Sequence, residues 1–77
     1  KNMEQQLEAV FSAVFEVPSG HEVRALSQLT FPKWDSLAHV TLMAAVESEF
    51  GIEIDIADSL ELTSFEAVQV YLEERHK

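Results

Sequence analysis

Residues 33–51 read KWDSLAHVTLMAAVESEFG. From Ser36 to Phe50 no glycine or proline interrupts the chain, and apolar residues recur at spacings of three and four. That pattern predicts a helix over 36–50, about four turns long, beginning at Asp35 or Ser36. Either side chain suits the N-cap, and Gly51 stands where a left-handed cap costs glycine least. One stripe holds His39, Leu42, Met43, Val46 and Phe50; a neighbouring one holds Leu37, Val40 and Ala44. Two apolar stripes predict a central helix that touches partners on more than one side.

Upstream, Met3, Leu7, Val10, Phe11, Val14 and Phe15 describe one stripe of a helix over 3–16, with Glu4, Glu8 and Ser12 outside it. Pro18 and Gly20 in EVPSG (16–20) are expected to stop it. In the following residues Val23, Leu26, Leu29 and Phe31 recur without sustained periodicity, which predicts a long ordered loop with room for one helical turn, closed by Pro32. Downstream, GIEIDIADSLEL (51–62) has the alternating isoleucines of a strand, but a strand without a partner would leave its backbone unsatisfied. The expectation is a loop into a short helix over 56–61, capped by Asp55, with Ala57, Leu60 and Leu62 facing inward. TSFE (63–66) has the form of a capping box for a last helix over 64–75, whose stripe is Phe65, Val68, Tyr71 and Leu72. The expected fold is all-α, three main helices and one short one. It is a single domain over 1–77, because so short a chain has no room for two cores.

The formal charge is −9. From Trp34 through Glu74 there is no lysine or arginine at all, so clustered cations for nucleic-acid phosphate are missing from this half. The acidic surface serves solubility, or steers basic partners through its field. Without cysteine there is no disulfide framework, thiolate nucleophile or zinc ribbon, and a reducing cytoplasm is the expected compartment. No stretch approaches the roughly 18 apolar residues of a membrane span.

The tempting catalytic trio is Asp35, Ser36 and His39. Adjacent Asp35 and Ser36 point in different directions on a helix, and no glycine-rich turn offers an oxyanion hole, so catalysis by these three is not expected. His21, His39 and His76 are too far apart for a recognised metal spacing. Asp55 to Glu66 imitates a calcium loop in length, but Ala57 and Leu60 occupy the positions of a ligand and of the turn glycine. With only Gly20 and Gly51 there is no phosphate-cradling loop. Trp34 either packs on the end of the bundle or makes an exposed contact. Ser36 either caps the helix or, if Asp35 caps it, leaves its hydroxyl free on the rim.

In the segment DSL at 35–37, and in its placement at the head of the second main helix after a long loop, the chain resembles the acyl and peptidyl carrier proteins. ESEFGIEI (47–54) and a capped last helix extend the resemblance from Met3 to Leu72. It implies a small four-helix bundle of the carrier type, no enzymatic activity, and a 4′-phosphopantetheine arm from coenzyme A joined to Ser36. Asp35 and Leu37 would meet the phosphopantetheinyl transferase. Val40, Met43 and Ala44 would border an acyl chain. Partner docking would fall to Trp34, Ala38, Thr41, Glu47, Glu49, Glu53 and Asp55, facing basic patches on loading, synthase or transferase enzymes. Lys33 and Trp34 before the motif, and Ala38 and Thr41 after it, resemble specialised carriers more than the housekeeping fatty-acid type. Cargo remains open between acyl groups of fatty-acid-like or polyketide synthesis and aminoacyl groups of a nonribosomal-peptide or D-alanyl system. A free monomeric carrier and a domain of a longer synthase both stay open, as do two readings without an arm: an acidic helical adaptor and a small serine hydrolase.

Overall fold

The computed structural model describes residues 2–18 and 21–75. Its elements are α1 (Met3–Phe15), α2 (His21–Arg24), α3 (Ser36–Phe50), α4 (Ile56–Ser59) and α5 (Phe65–Arg75). Among the described residues the chain is all-α; one isolated antiparallel bridge, Ser27 to Ser64, is the sole β-type pairing. The single turn foreseen in the first long connection is α2, so the helices among the described residues number five.

Asn2 opens α1 by accepting the Gln5 N–H at 2.8 Å. The helix ends at Glu16, which enters the left-handed region at φ 58° and donates its N–H to the Ser12 carbonyl. The end expected at 16 is met to within a residue, through a left-handed Glu16 that precedes Pro18, and Gly20 lies outside the described residues. Glu8, expected on the outer face, is buried. Arg24 of α2 donates to its carboxylate and lies 3.4 Å from Glu4, so an ion pair fastens α2 to α1. The carboxylates hold the Arg24 guanidinium above its ordinary pKa, the hydrogen bond to Glu8 contributing most.

One core runs through the molecule: Leu7, Phe11 and Phe15 from α1, Val23 from α2, Trp34 from the loop before α3, Leu42 and Val46 from α3, and Leu62, Phe65, Val68 and Leu72 from the last quarter. Phe11 sits at its centre, with ring centroids 5.5 Å from Trp34 and 5.0 Å from Phe65 in edge-on geometry. Such pairs add about 0.5–1.5 kcal/mol each beyond their burial.

Two expectations about helix starts are corrected. Ser64, not Thr63, caps α5, its hydroxyl accepting the Ala67 N–H at 3.0 Å. Thr63 is instead drawn into the bridge, its carbonyl accepting the Gln28 N–H at 2.8 Å. Asp55 occupies the N-cap of α4, but its side chain makes no capping bond. A third correction concerns facing. Of Ala57, Leu60 and Leu62, only Leu62 is buried; Ala57 and Leu60 are exposed. The helix stops at Ser59, so it has too few residues to present an inward stripe. Asp58 ties it to α5 instead, accepting from Tyr71 Oη at 3.0 Å and pairing with Arg75 at 3.4 Å. Burial, followed by the Asp58 bond, pushes the Tyr71 phenol above its ordinary pKa.

Candidate site at the head of the third helix

Three local devices aim Ser36 outward. Phe31 accepts the Trp34 N–H at 3.0 Å, closing a turn with Pro32 at its second position, where a fixed φ suits it. Trp34 then drives its ring into the core, leaving 2% of its surface accessible, between Phe11 and Phe15. Asp35 follows in extended conformation and takes the cap, its Oδ1 accepting the Ala38 N–H at 2.9 Å. Ser36 is the first residue of α3 and is exposed. Its hydroxyl makes no hydrogen bond among the described residues, since the cap it could have made is already filled.

At the other end α3 stops as expected. Gly51 adopts φ 66° and donates its N–H to the Glu47 carbonyl at 2.9 Å. The Glu47 carboxylate reaches past it to accept the Ile54 N–H at 2.7 Å. That bond folds the segment 52–55 back along α3 and sets α4 beside it.

An open groove of about 540 Å³ runs between α3 and α4, with Ser36 on its rim; Val40, Met43, Ala44, Ile54, Ile56 and Leu60 give it apolar walls. Its size falls in the range of small-molecule clefts, roughly 300–1,000 Å³. Val40 is 67% exposed, Ile56 79% and Leu60 71%, and Leu37 beside Ser36 is exposed as well. The second stripe of α3 is therefore not a packing face. Leu37, Val40 and Ala44 lie open, and the expectation that α3 touches partners on more than one side within this chain is corrected: the four-residue α4 stands alongside without covering them.

The imidazole of His39 also lines this groove. Trp34 Nε1–H donates to its Nδ1 at 3.0 Å, and its Nε2 lies 2.8 Å from the Ser59 carbonyl oxygen. Since Nδ1 accepts, Nε2 carries the proton and donates. His39 is half-buried, and both of its nitrogens are engaged away from Ser36. With Asp35 committed to the cap, Asp35, Ser36 and His39 form no hydrogen-bonded relay. No group of three or more histidine, aspartate or glutamate side chains is arranged to hold a metal among the described residues, and His76 lies outside them.

The acyl-bordering trio Val40, Met43 and Ala44 comes together in one groove. The docking set does not come together. Trp34 is corrected as a docking residue, because its ring packs into the core, the first of its two sequence readings, and offers a partner no surface. Glu47 is half-buried and spends its carboxylate on Ile54. Glu49 accepts from Gln6 Nε2 at 2.9 Å, which places it on the α1 side of α3. Ala38 is half-buried, while Thr41, Glu53 and Asp55 are exposed; Thr41 returns its hydroxyl to the Leu37 carbonyl at 3.1 Å. Sequence reading missed Ile54, Ile56, Ser59 and Leu60 as parts of the site. The signal for the two isoleucines was in IEIDI, whose regular alternation places them on a surface that no second strand covers; Ser59 and Leu60 carry no such signal.

No protein-family model matches the chain, and no curated protein resembles it closely enough to count as a match. No helix among the described residues is long and apolar enough to cross a membrane.

Proposed function

We propose that this chain is a carrier domain whose Ser36 accepts a 4′-phosphopantetheine arm, with the α3–α4 groove as the bed for the arm's cargo. The observation that carries the reading is the pairing of an exposed serine hydroxyl, left unbonded because Asp35 makes the cap, with an apolar groove that begins at that serine. Residues that could hold the arm are present: Ser36 as anchor, and Val40, Met43, Ala44 and Ile54 along the path of an acyl chain. An aliphatic acyl group fits these walls better than a charged aminoacyl group, and the arm's thiol would carry it as a thioester. On this reading the five helices form a bundle of the carrier type, with α1, α3 and α5 as main helices.

Loading needs chemistry from another protein. Ser36 Oγ would attack the phosphorus that bears the pantetheine in coenzyme A; the new O–P bond forms as the pyrophosphate P–O bond breaks. Adenosine 3′,5′-bisphosphate leaves, and the hydroxyl proton passes to a base on the transferase. No base is needed here, which accords with Asp35 and His39 being occupied. The acidic surface supports brief, salt-sensitive docking on basic enzymes. Leu37, Thr41, Glu53 and Asp55 remain as its exposed contacts, and Trp34 drops out.

The test is intact mass after incubation with coenzyme A and a phosphopantetheinyl transferase of broad specificity. The expected result is a gain of one phosphopantetheine in the natural chain and none in Ser36→Ala. A chain that stays unmodified while a control carrier is loaded overturns the proposal, and leaves the acidic adaptor as the reading to pursue.

A further inference from the structure

The imidazole of His39 joins three parts of the molecule with two hydrogen bonds. On one side is the Trp34 indole, packed among Phe11 and Phe15 of α1; on the other is the carbonyl of Ser59, the last residue of α4. The Trp34 and His39 rings also stack, with centroids 6.0 Å apart. α4 has little else to hold it: no buried residue of its own, the Asp58 contacts with Tyr71 and Arg75 on its far side, and the Glu47 bond to Ile54 that precedes it. We infer that His39 is the positioning residue that fixes α4 over the groove beside Ser36, and that it does so only as the neutral, Nε2-protonated imidazole. This rests on the reading of the groove as the cargo bed, and it names what regulates its width.

The chemistry is one of donors and acceptors. Neutral His39 offers one of each, and Trp34 and Ser59 require that complement. A second proton, on Nδ1, would put N–H against the Trp34 N–H at 3.0 Å. The tryptophan is locked in the core and cannot turn away without breaking the aromatic cluster, so the imidazole is the part that moves. In turning it drops the Ser59 carbonyl, and α4 loses its bond to α3. Release of α4 widens the groove, uncovering cargo that lay against Ile56 and Leu60.

The ionisable groups on the elements that meet there are few. Lys33 and Asp35 lead into α3, and Asp35 is held by its cap. Glu47 lines the same groove with its carboxylate on Ile54. Asp55 and Asp58 belong to the α4 segment, the latter engaged with α5. On α1, Glu4 and Glu8 are taken by Arg24, and Tyr71 and Arg75 of α5 face Asp58. Glu47 and Asp58 also hold the α4 segment through their own bonds, so the His39→Gln variant separates what belongs to the imidazole from what belongs to them.

The experiment uses the unmodified chain, so a failure of Ser36 to accept an arm is read separately, by mass. Nitrogen-15 shifts of the His39 ring at about pH 8 are expected to show a proton on Nε2; a proton on Nδ1 alone would overturn the inference. Amide hydrogen exchange of Leu60 and Leu62, corrected for the intrinsic pH effect, is expected to quicken about tenfold relative to α5 amides between pH 8 and about pH 5, the range in which imidazoles change charge. Equal protection of α4 at both ends of that range would sink it. His39→Gln keeps a donor for Ser59 without titrating and should show no step; a step of the natural size in that variant also overturns the assignment. Should the variant not fold, the ring shifts and the exchange of the natural chain still decide.

Discussion

Two stripes of α3 carry similar residues and have opposite fates. Leu42 and Val46 are sealed against the rest of the core, with Met43 at the border between core and groove, whereas Leu37, Val40 and Ala44, a third of a turn round the same helix, face an open groove or solvent. Hydrophobicity does not distinguish them. What does is the length of the element opposite: the thirteen residues of α1 span most of α3, while the four of α4 cannot. The open stripe is where the proposed cargo would lie, and it begins one residue after the serine whose hydroxyl the fold leaves free.

The comparison can be broken by substitution. Leu42→Ala should cost about 2–5 kcal/mol in a urea titration, since the side chain is fully buried and the cavity left behind cannot collapse against rigid rings. A loss under about 1 kcal/mol would mean that the sealed stripe is not sealed. Asp35→Ala removes the cap of α3 and should cost about 0.5–2 kcal/mol. Ser36→Ala, one residue on, should stay within about 0.5 kcal/mol of the natural chain; if the two costs were reversed, the serine would be the cap and no longer a free hydroxyl. Smallest of all should be Val40→Ser on the open stripe, again within about 0.5 kcal/mol in dilute solution. A loss as large as that of Leu42→Ala would show that the groove is covered in the free protein, and sedimentation would then tell whether a second copy covers it.

Much of this arrangement was legible in the chain. The bounds of α3 followed from an unbroken apolar run ending at Gly51, where a positive φ is required, and the trio Val40, Met43 and Ala44 does share one groove. Glu8 was placed by the ordinary habit of its residue type, but a carboxylate can be buried when an arginine such as Arg24 comes to meet it; Trp34 entered the docking set through the resemblance alone, while its packing reading is the one the core satisfies. Thr63 and Ser64 both suit an N-cap, and the choice fell to Ser64 because Thr63 is held in the bridge to Gln28. Leu60 and Ala57 look like core in any one-dimensional pattern; only the stop at Ser59 leaves them outside.

The sequence by itself determined the class of fold, the limits of the central helix, the acidic balance and the singular position of Ser36, because each depends on neighbours within a turn or two along the chain. Which apolar stripe is sealed, which acid is spent on an internal bond, and that one histidine clasps Trp34 and Ser59 at once were decided by the tertiary structure. Those facts depend on which elements meet, and on how long each one is when it does.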